Sequence, residues 1–268
     1  VCVKMFEINY FTKLTGVLGQ NIQYTFSPVI HNYSFNKIGV NAVYLAFDVS
    51  EEKFNKVAQA LIDLCAGLNV TIPYKERITN FLDEIDEKAR TIGAVNTISN
   101  GKGYNTDYVA VQSLVLEKLK HIDGYSCLVF GAGGAAKAVA FALGDLGCSI
   151  FVHNRTPKRG KLLVDMLNRN GIKAELAKEY KSADIVVNTV PVQNFINPAY
   201  VSGVLAIDLL YSPVNTKFLR LAKLRGMKTI NGVEVLVRQA MESEKLWFGK
   251  SLSDKEVVAY LDARKFIW

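Results

Sequence analysis

The sequence predicts an α/β fold in two domains, on three observations. Apolar runs rich in Val, Ile, Leu and Phe alternate with stretches of helical period along the 268 residues. At Ser126-Cys127-Leu128-Val129-Phe130 the alternation restarts as a regular series of strands and helices with short turns, the mark of a doubly wound, mainly parallel sheet. A Gly-rich turn occupies the first strand-to-helix junction of that second series.

In the first half, LTGVLG (14–19) reads as a strand, and Pro28 opens a helix soon after it. If Tyr24-Thr25-Phe26-Ser27 is extended, the hydroxyls of Thr25 and Ser27 point the same way and suit an anion or a polyol. Ser27 before Pro28 equally suits a plain helix cap. AVYLAFDV (42–49) is the next strand, and Ser50 opens a helix with Phe54, Val57, Ala58 and Leu61 on one face. GLNVTIP (67–73) reads as a strand with Asn69, Thr71 and Pro73 on one face and Lys75 just past its end. Polar side chains on such a strand cost free energy unless they find partners. An isolated lysine is ordinarily a solvated charge, but Asn96 in GAVNT and Asn105, Thr106 and Asp107 in GYNTD add polar groups at other strand ends. The stretch 94–107 reads as a strand and a Gly-rich turn, followed by a helix over Asp107 to Leu119.

The second series runs SCLVF, GAGGAAKAVAFALGDLG, CSIFVHNRT, a basic helix from Pro157 to Asn170, ADIVVNTVP, VLAIDLL and MKTI. After Gly232 the pattern is helical, with a final helix starting at Ser253 and running to Phe266. The chain thus divides into residues 1–106 plus 233–268 and residues 107–232, the C-terminal helices packing back on the first domain. No repeat or low-complexity tract interrupts it.

Gly131-Ala132-Gly133-Gly134-Ala135-Ala136 has the G-x-G-x-x-A form of a dinucleotide loop. Its glycines allow a tight turn and close approach to a pyrophosphate, and the helix behind offers free N–H groups. The next strand ends in Asn154-Arg155-Thr156, followed by Lys158 and Arg159. The acid that would bind the ribose hydroxyls of NAD is missing, and a guanidinium pairs well with a phosphate, so NADP is the expected cofactor.

Composition bounds the remainder. The net charge of +7 is spread along the chain with no aromatic-interleaved basic patch, so nucleic acid is not an expected partner. No run of about 18 apolar residues is present, and the first residues lack a signal-peptide pattern, which predicts no membrane association and a cytoplasmic address, with Met5 a candidate start. Cys2, Cys65, Cys127 and Cys148 lie far apart in sequence and form no C-x-x-C pair, so no metal site is expected. With only His31, His121 and His153 available, acid–base chemistry should rest on another residue type.

Six blocks, SPVIHN, NVTIPYK, GAVNT, GYNTD, GAGGAAKA with NRT, and NGVEVLVRQA, appear in an order and spacing that resemble the shikimate dehydrogenase family over nearly the whole chain. NVTIPYK is the most specific of them. The resemblance implies reversible NADPH-dependent reduction of 3-dehydroshikimate to shikimate in a cleft between the domains, by a monomer or homodimer. It implies Lys75 and Asp107 as the catalytic acid–base pair, Thr25 and Ser27 on the substrate carboxylate with Tyr211 nearby, and Asn69, Thr71, Asn96, Asp107 and Gln239 among the substrate contacts. On the cofactor side it implies Gly131 to Ala135, Asn154 to Thr156, Lys158 and Arg159, Asn188, Thr189 and Val190, and Leu209 and Gly232 beside the nicotinamide. Glu87 falls where the family often carries an acid near the cofactor, although a solvated helix charge explains it as well.

Several positions depart from the family pattern: Tyr24 for a histidine, Thr25 for a serine, Ala110 and Gln193 for glycines, and Val235 for a methionine. The added methyl of Thr25 narrows the carboxylate end of the pocket. A quinate or dual-specificity dehydrogenase is therefore the near alternative, and a non-catalytic metabolite sensor the distant one.

Overall fold

The computed structural model describes residues 7–177, 182–192 and 196–266. Cys2, Met5 and Gln193 lie outside the described residues. The chain folds into two compact units, which change over between Thr106 and Asp107 and again between Leu236 and Val237.

The first unit carries β1 (Lys13–Gly19), α1 (Ser27–Ile38), β2 (Ala42–Asp48), α2 (Glu51–Leu64), β3 (Gly67–Val70), a 3₁₀ turn (Arg77–Phe81), β4 (Glu84–Ile85), α3 (Glu87–Ile92), β5 (Thr97–Ser99) and β6 (Lys102–Tyr104). Its sheet has the order β2-β1-β3-β5-β6-β4 and is mixed, because β5 pairs antiparallel with both β3 and β6. The Gly-rich turn at Asn100-Gly101 thus closes a short hairpin. Phe54, Ala58 and Leu61 of the amphipathic α2 pack with Leu18, Leu68, Val70 and Tyr74 into one core.

Next come α4 (Thr106–Leu119), which begins at the changeover, then β7 (Ser126–Phe130), α5 (Gly134–Gly144), β8 (Ser149–His153), α6 (Pro157–Arg169), β9 (Ala174–Leu176), β10 (Ile185–Asn188), a 3₁₀ turn (Pro198–Tyr200), β11 (Leu205–Asp208), α7 (Lys217–Leu224) and β12 (Lys228–Ile230). The second sheet has the order β12-β11-β10-β7-β8-β9, with every pair parallel. From β7 the chain moves outward through β8 to β9, then returns to β10 on the other flank of β7. That reversal places a topological switch point at the C-terminal ends of β7 and β10, where open α/β sheets hold ligands. The buried cysteines Cys127 and Cys148 are free thiols, and burial together with the neighbouring Cys148 pushes the Cys127 thiol well up.

Two helices finish the chain, α8 (Gly232–Phe248) and α9 (Asp254–Ala263), the latter capped by Ser253, which accepts from the Glu256 amide. From Val237 onward they belong to the first unit, with α9 packed on α1. Among the described residues no helix is long and apolar enough to cross a membrane.

Two expectations need correction. Residues 20–26 are not extended: Thr25 N–H bonds Ile22 O at 3.0 Å in a turn, and Phe26, not Ser27, is the N-cap of α1, without a side-chain cap bond. The strand at GLNVTIP stops at Val70, so Asn69, Thr71 and Pro73 do not share a strand face. Thr71 N–H still makes the last ladder bond to Leu18 O at 2.9 Å, and Thr71 O then accepts the Tyr74 N–H at 2.8 Å, which folds the following segment into a turn.

Candidate active site

In the first unit the turn after β1 brings together what alternation on a strand was expected to. Thr25 Oγ1 lies 3.1 Å from Ser27 Oγ, and Ser27, the first residue of α1, is buried. The hydroxyl of the buried Tyr44 on β2 donates to Asn69 Oδ1 at 2.7 Å, and Ser27 is also a hydrogen-bonding neighbour of that phenol. Burial raises the Tyr44 pKa well above its ordinary value, so the phenol stays a neutral donor.

Asn69 is thereby turned inward. Its Nδ2 points to Asn96 O at 3.2 Å, Thr97 Oγ1 at 3.0 Å and Ser243 Oγ at 3.0 Å. The amide thus ties β3 to β5 and to α8. Asn96 Oδ1 accepts the Thr106 N–H at 2.7 Å, and its Nδ2 reaches Thr106 Oγ1 at 3.0 Å and Gln239 Oε1 at 3.5 Å. Both buried amides are oriented by backbone groups of fixed polarity, a carbonyl for Asn69 and an N–H for Asn96.

Asp107 follows the anchored Thr106 and is itself buried in the first turn of α4, where a helix N-terminus favours a carboxylate. Lys75 is half-buried in the turn after β3, with its carbonyl held by Val95 N–H at 2.8 Å. Thr71 lies four residues earlier in the same turn, also half-buried. Glu87 is exposed at the start of α3, behind Asp86, whose carboxylate caps that helix.

In the second unit the predicted dinucleotide loop spans the switch point. Gly131 has φ +116°, and a Cβ there would collide with the Thr189 hydroxyl. That hydroxyl donates to Phe130 O at 2.6 Å, so β7, the loop and the end of β10 are locked together. Gly133, at the N-cap of α5, has nothing within 4 Å of where a Cβ would stand. The first turn of α5 carries no acidic side chain, so its amides with Ala132, Gly134 and Ala135 form a cradle fit for a pyrophosphate. Arg155, Thr156, Lys158 and Arg159 are exposed at the start of α6, with Asn154 Nδ2 closing a turn onto Thr156 O at 2.9 Å. This donor set suits a second, peripheral phosphate, and the two features together fit NADP.

Asp208, at the end of β11, organises the rest. Oδ1 accepts Asn188 Nδ2 at 2.9 Å and Leu210 N–H at 3.0 Å, while Oδ2 accepts the Thr216 hydroxyl at 2.7 Å. Burial pushes its carboxyl pKa up, and these bonds draw it partly back. Asn188 Oδ1 also takes Val190 N–H at 3.0 Å. One carboxylate therefore shapes both the 188–190 and the 209–211 segments, and Tyr211 is half-buried in the latter. Gly232 packs on the same backbone: a Cβ there would stand 2.5 Å from Leu210 C and O and 2.7 Å from Leu209 O.

Sequence reasoning did not single out Tyr44, Thr97, Ser243, Asp208 or Thr216. A signal existed only for Asp208, an acid inside the apolar run VLAIDLL. Comparison with known proteins now decides the family. Residues 17–98 match the shikimate dehydrogenase substrate binding domain, and residues 113–201 match shikimate / quinate 5-dehydrogenase. The chain is 52% identical over 264 residues to a shikimate dehydrogenase of Sulfurisphaera tokodaii, covering 98% of this chain and 100% of the relative. This chain belongs to the shikimate dehydrogenase family. Another member, a shikimate dehydrogenase (NADP(+)) of Sulfolobus acidocaldarius, is 50% identical with the same coverage. A family structure from Thermus thermophilus, solved with NADP(H) and shikimate, superposes with a TM-score of 0.83 at 30% identity, covering 94% of this chain and 99% of that one.

Proposed function

We propose that this chain is an NADP-dependent shikimate dehydrogenase that reversibly reduces 3-dehydroshikimate to shikimate. The observation that carries the proposal is about 50% identity, over nearly full length, to relatives named shikimate dehydrogenase (NADP(+)), with Lys75 and Asp107 present in the family's motifs. In the reductive direction a hydride comes from bound NADPH and a proton from the Lys75 ammonium, so the ketone becomes the alcohol and Lys75 is left neutral until it takes a proton from solvent. Asp107 orients the reacting hydroxyl and supports the charge on Lys75. Thr25 and Ser27 turn their hydroxyl protons to the substrate carboxylate, next to Tyr211. Thr71, Asn96 and Gln239 meet the ring hydroxyls, while Asn69 holds Asn96 and β5 in place.

On the cofactor side Gly131 to Ala135 cradle the pyrophosphate, and Arg155 binds the 2′-phosphate with Lys158 and Arg159 adding charge. Asn188 to Val190 border the cofactor on the far side of the Gly-rich loop, and Leu209 and Gly232 line the nicotinamide. Residues up to Thr106 with α8 and α9 form the substrate domain and residues 107–232 the cofactor domain, in a monomeric or homodimeric cytoplasmic enzyme. Quinate carries one more hydroxyl on the ring carbon that bears the carboxylate, so the pocket at Thr25 is where the choice between shikimate and quinate is made.

The test is NADPH formation from NADP+ with shikimate, with quinate, and with NAD+ in place of NADP+. Fast turnover with shikimate and NADP+ is expected, and much slower turnover in the other two arms. No NADPH from saturating shikimate would remove the proposal.

A further inference from the structure

We infer that Ser243, which lies outside the six sequence blocks and both domain matches, is a positioning residue that sets Gln239 against the substrate. This rests on the substrate reading above. Gln239, Ser243 and Trp247 stand at i, i+4 and i+8 on α8 and so share one face. Every one of them reaches β3, β5 or the residue before β5: Gln239 Oε1 lies 3.5 Å from Asn96 Nδ2, Ser243 Oγ 3.0 Å from Asn69 Nδ2, and Trp247 Nε1 donates to Ile98 O at 2.9 Å. Ser243 is the middle point of that seam.

The hydrogen-bond polarity defines what its hydroxyl does. Ser243 Oγ donates to Gln239 O at 2.9 Å, and a carbonyl only accepts, so the single proton of Ser243 is committed to its own helix. Toward everything else it acts as an acceptor. Asn69 Nδ2 is a pure donor to it, Thr97 Oγ1 lies 2.9 Å away and Thr106 Oγ1 3.3 Å away. Thr97 and Thr106 are themselves 3.0 Å apart, which closes a triangle of three buried hydroxyls. At this one point β3, β5, the start of α4 and α8 are joined, one helical turn from the side chain proposed to read a ring hydroxyl. The α8 backbone at Gln239 is held by the same atom, so its height above Asn96 is fixed before substrate arrives.

A Ser243→Ala exchange removes the acceptor that faces Asn69 and the hydroxyl's extra bond to Gln239 O, while the helical backbone bond to that carbonyl keeps α8 intact. The expected result is a rise of about ten-fold in KM for shikimate, the size of one misplaced substrate hydrogen bond, with KM for NADP+ within about two-fold of the parent. A general loss of structure would also raise KM, so the deciding measurement is a double-mutant cycle. In a Gln239→Ala background Ser243→Ala should change KM for shikimate by less than about two-fold, because the residue it positions is gone. An equal effect in both backgrounds, or an unchanged KM in the single variant, overturns the inference. If Ser243→Ala does not fold, Ser243→Cys keeps a weak acceptor and is read in the same cycle by the same criteria. Failure of the parent enzyme to turn over shikimate would instead count against the proposed function, which keeps the two questions apart.

Discussion

Lys75 shows how the fold prepares a residue without using its charge. The turn that carries it is closed by Tyr74 N–H on Thr71 O at 2.8 Å and by Ile78 N–H on Tyr74 O at 2.9 Å. The Tyr74 hydroxyl donates to Val49 O at 2.6 Å, and its ring stacks on Phe54 at 4.2 Å with the Arg77 guanidinium 4.5 Å from the Phe54 centroid. None of these contacts needs the Lys75 side chain, so Lys75→Ala should keep the fold and the affinity for shikimate. The chemical step should slow by about 10²-fold or more, the usual worth of a positioned acid–base group. Single-turnover rates with a deuterated nicotinamide would measure it, and an unchanged rate would remove Lys75 from the acid–base role. Lys75, Asn96 and Asp107 stood out as candidates in the sequence because polar residues at strand ends of an apolar chain invite a chemical explanation. Ser243 and Thr97 were not, since a serine in a helix and a threonine in a strand are unremarkable until the fold brings them to within 2.9 Å.

The start of α6 poses the same kind of question for an element. Its first residues carry Lys158 and Arg159, with Arg155 just before, and no acid in the first turn. A helix N-terminus is the positive end of the macrodipole, so cations there cost a few tenths of a kcal/mol each unless an anion joins them. In the proposed function the 2′-phosphate of NADP is that anion. Arg155→Ala should therefore raise KM for NADP+ by about ten-fold or more, through loss of a charge-assisted pair, while leaving KM for NAD+ nearly unchanged. Parallel titrations of the two cofactors would decide, and equal losses would make Arg155 a structural residue. In the second unit β7, α5, β8, α6, β10, β11 and β12 were legible from their apolar runs, whereas β9 and α7 were not read from the sequence. At 20–26 and 71–73 a local pattern suggested extended chain, but backbone bonds to Ile22 O and Thr71 O, invisible to periodicity, bent it into turns. The hydroxyl pair of Thr25 and Ser27 still forms, by a different local geometry.

At the scale of the whole molecule the decisive feature is that the first unit is discontinuous. Residues 237–266 supply Val237, Ala240, Met241, Val257 and Leu261 to its buried interior. They also supply Glu244, whose buried carboxylate accepts from Ser34 Oγ at 2.6 Å and lies 2.8 Å from His31 Nδ1, and Tyr260, stacked on Tyr33 at 3.6 Å. Without that return, the apolar face loses Ala240 and four larger side chains worth roughly 1.5–3 kcal/mol each, against a net domain stability of about 5–15 kcal/mol. His31 and Ser34 would also lose the buried carboxylate that they meet at 2.8 and 2.6 Å. The second unit has no such debt, because its six parallel strands and flanking helices are continuous from Asp107 to Leu236. A fragment of residues 1–106 should therefore show no cooperative thermal transition, whereas residues 107–236 should melt cooperatively. NADP+ at about a hundred times its Kd should stabilise that second fragment by roughly 2.7 kcal/mol through mass action. Circular dichroism melts of the two fragments, with and without NADP+, make the comparison. A cooperative melt of residues 1–106 alone would mean that the C-terminal helices cover a domain that is already complete.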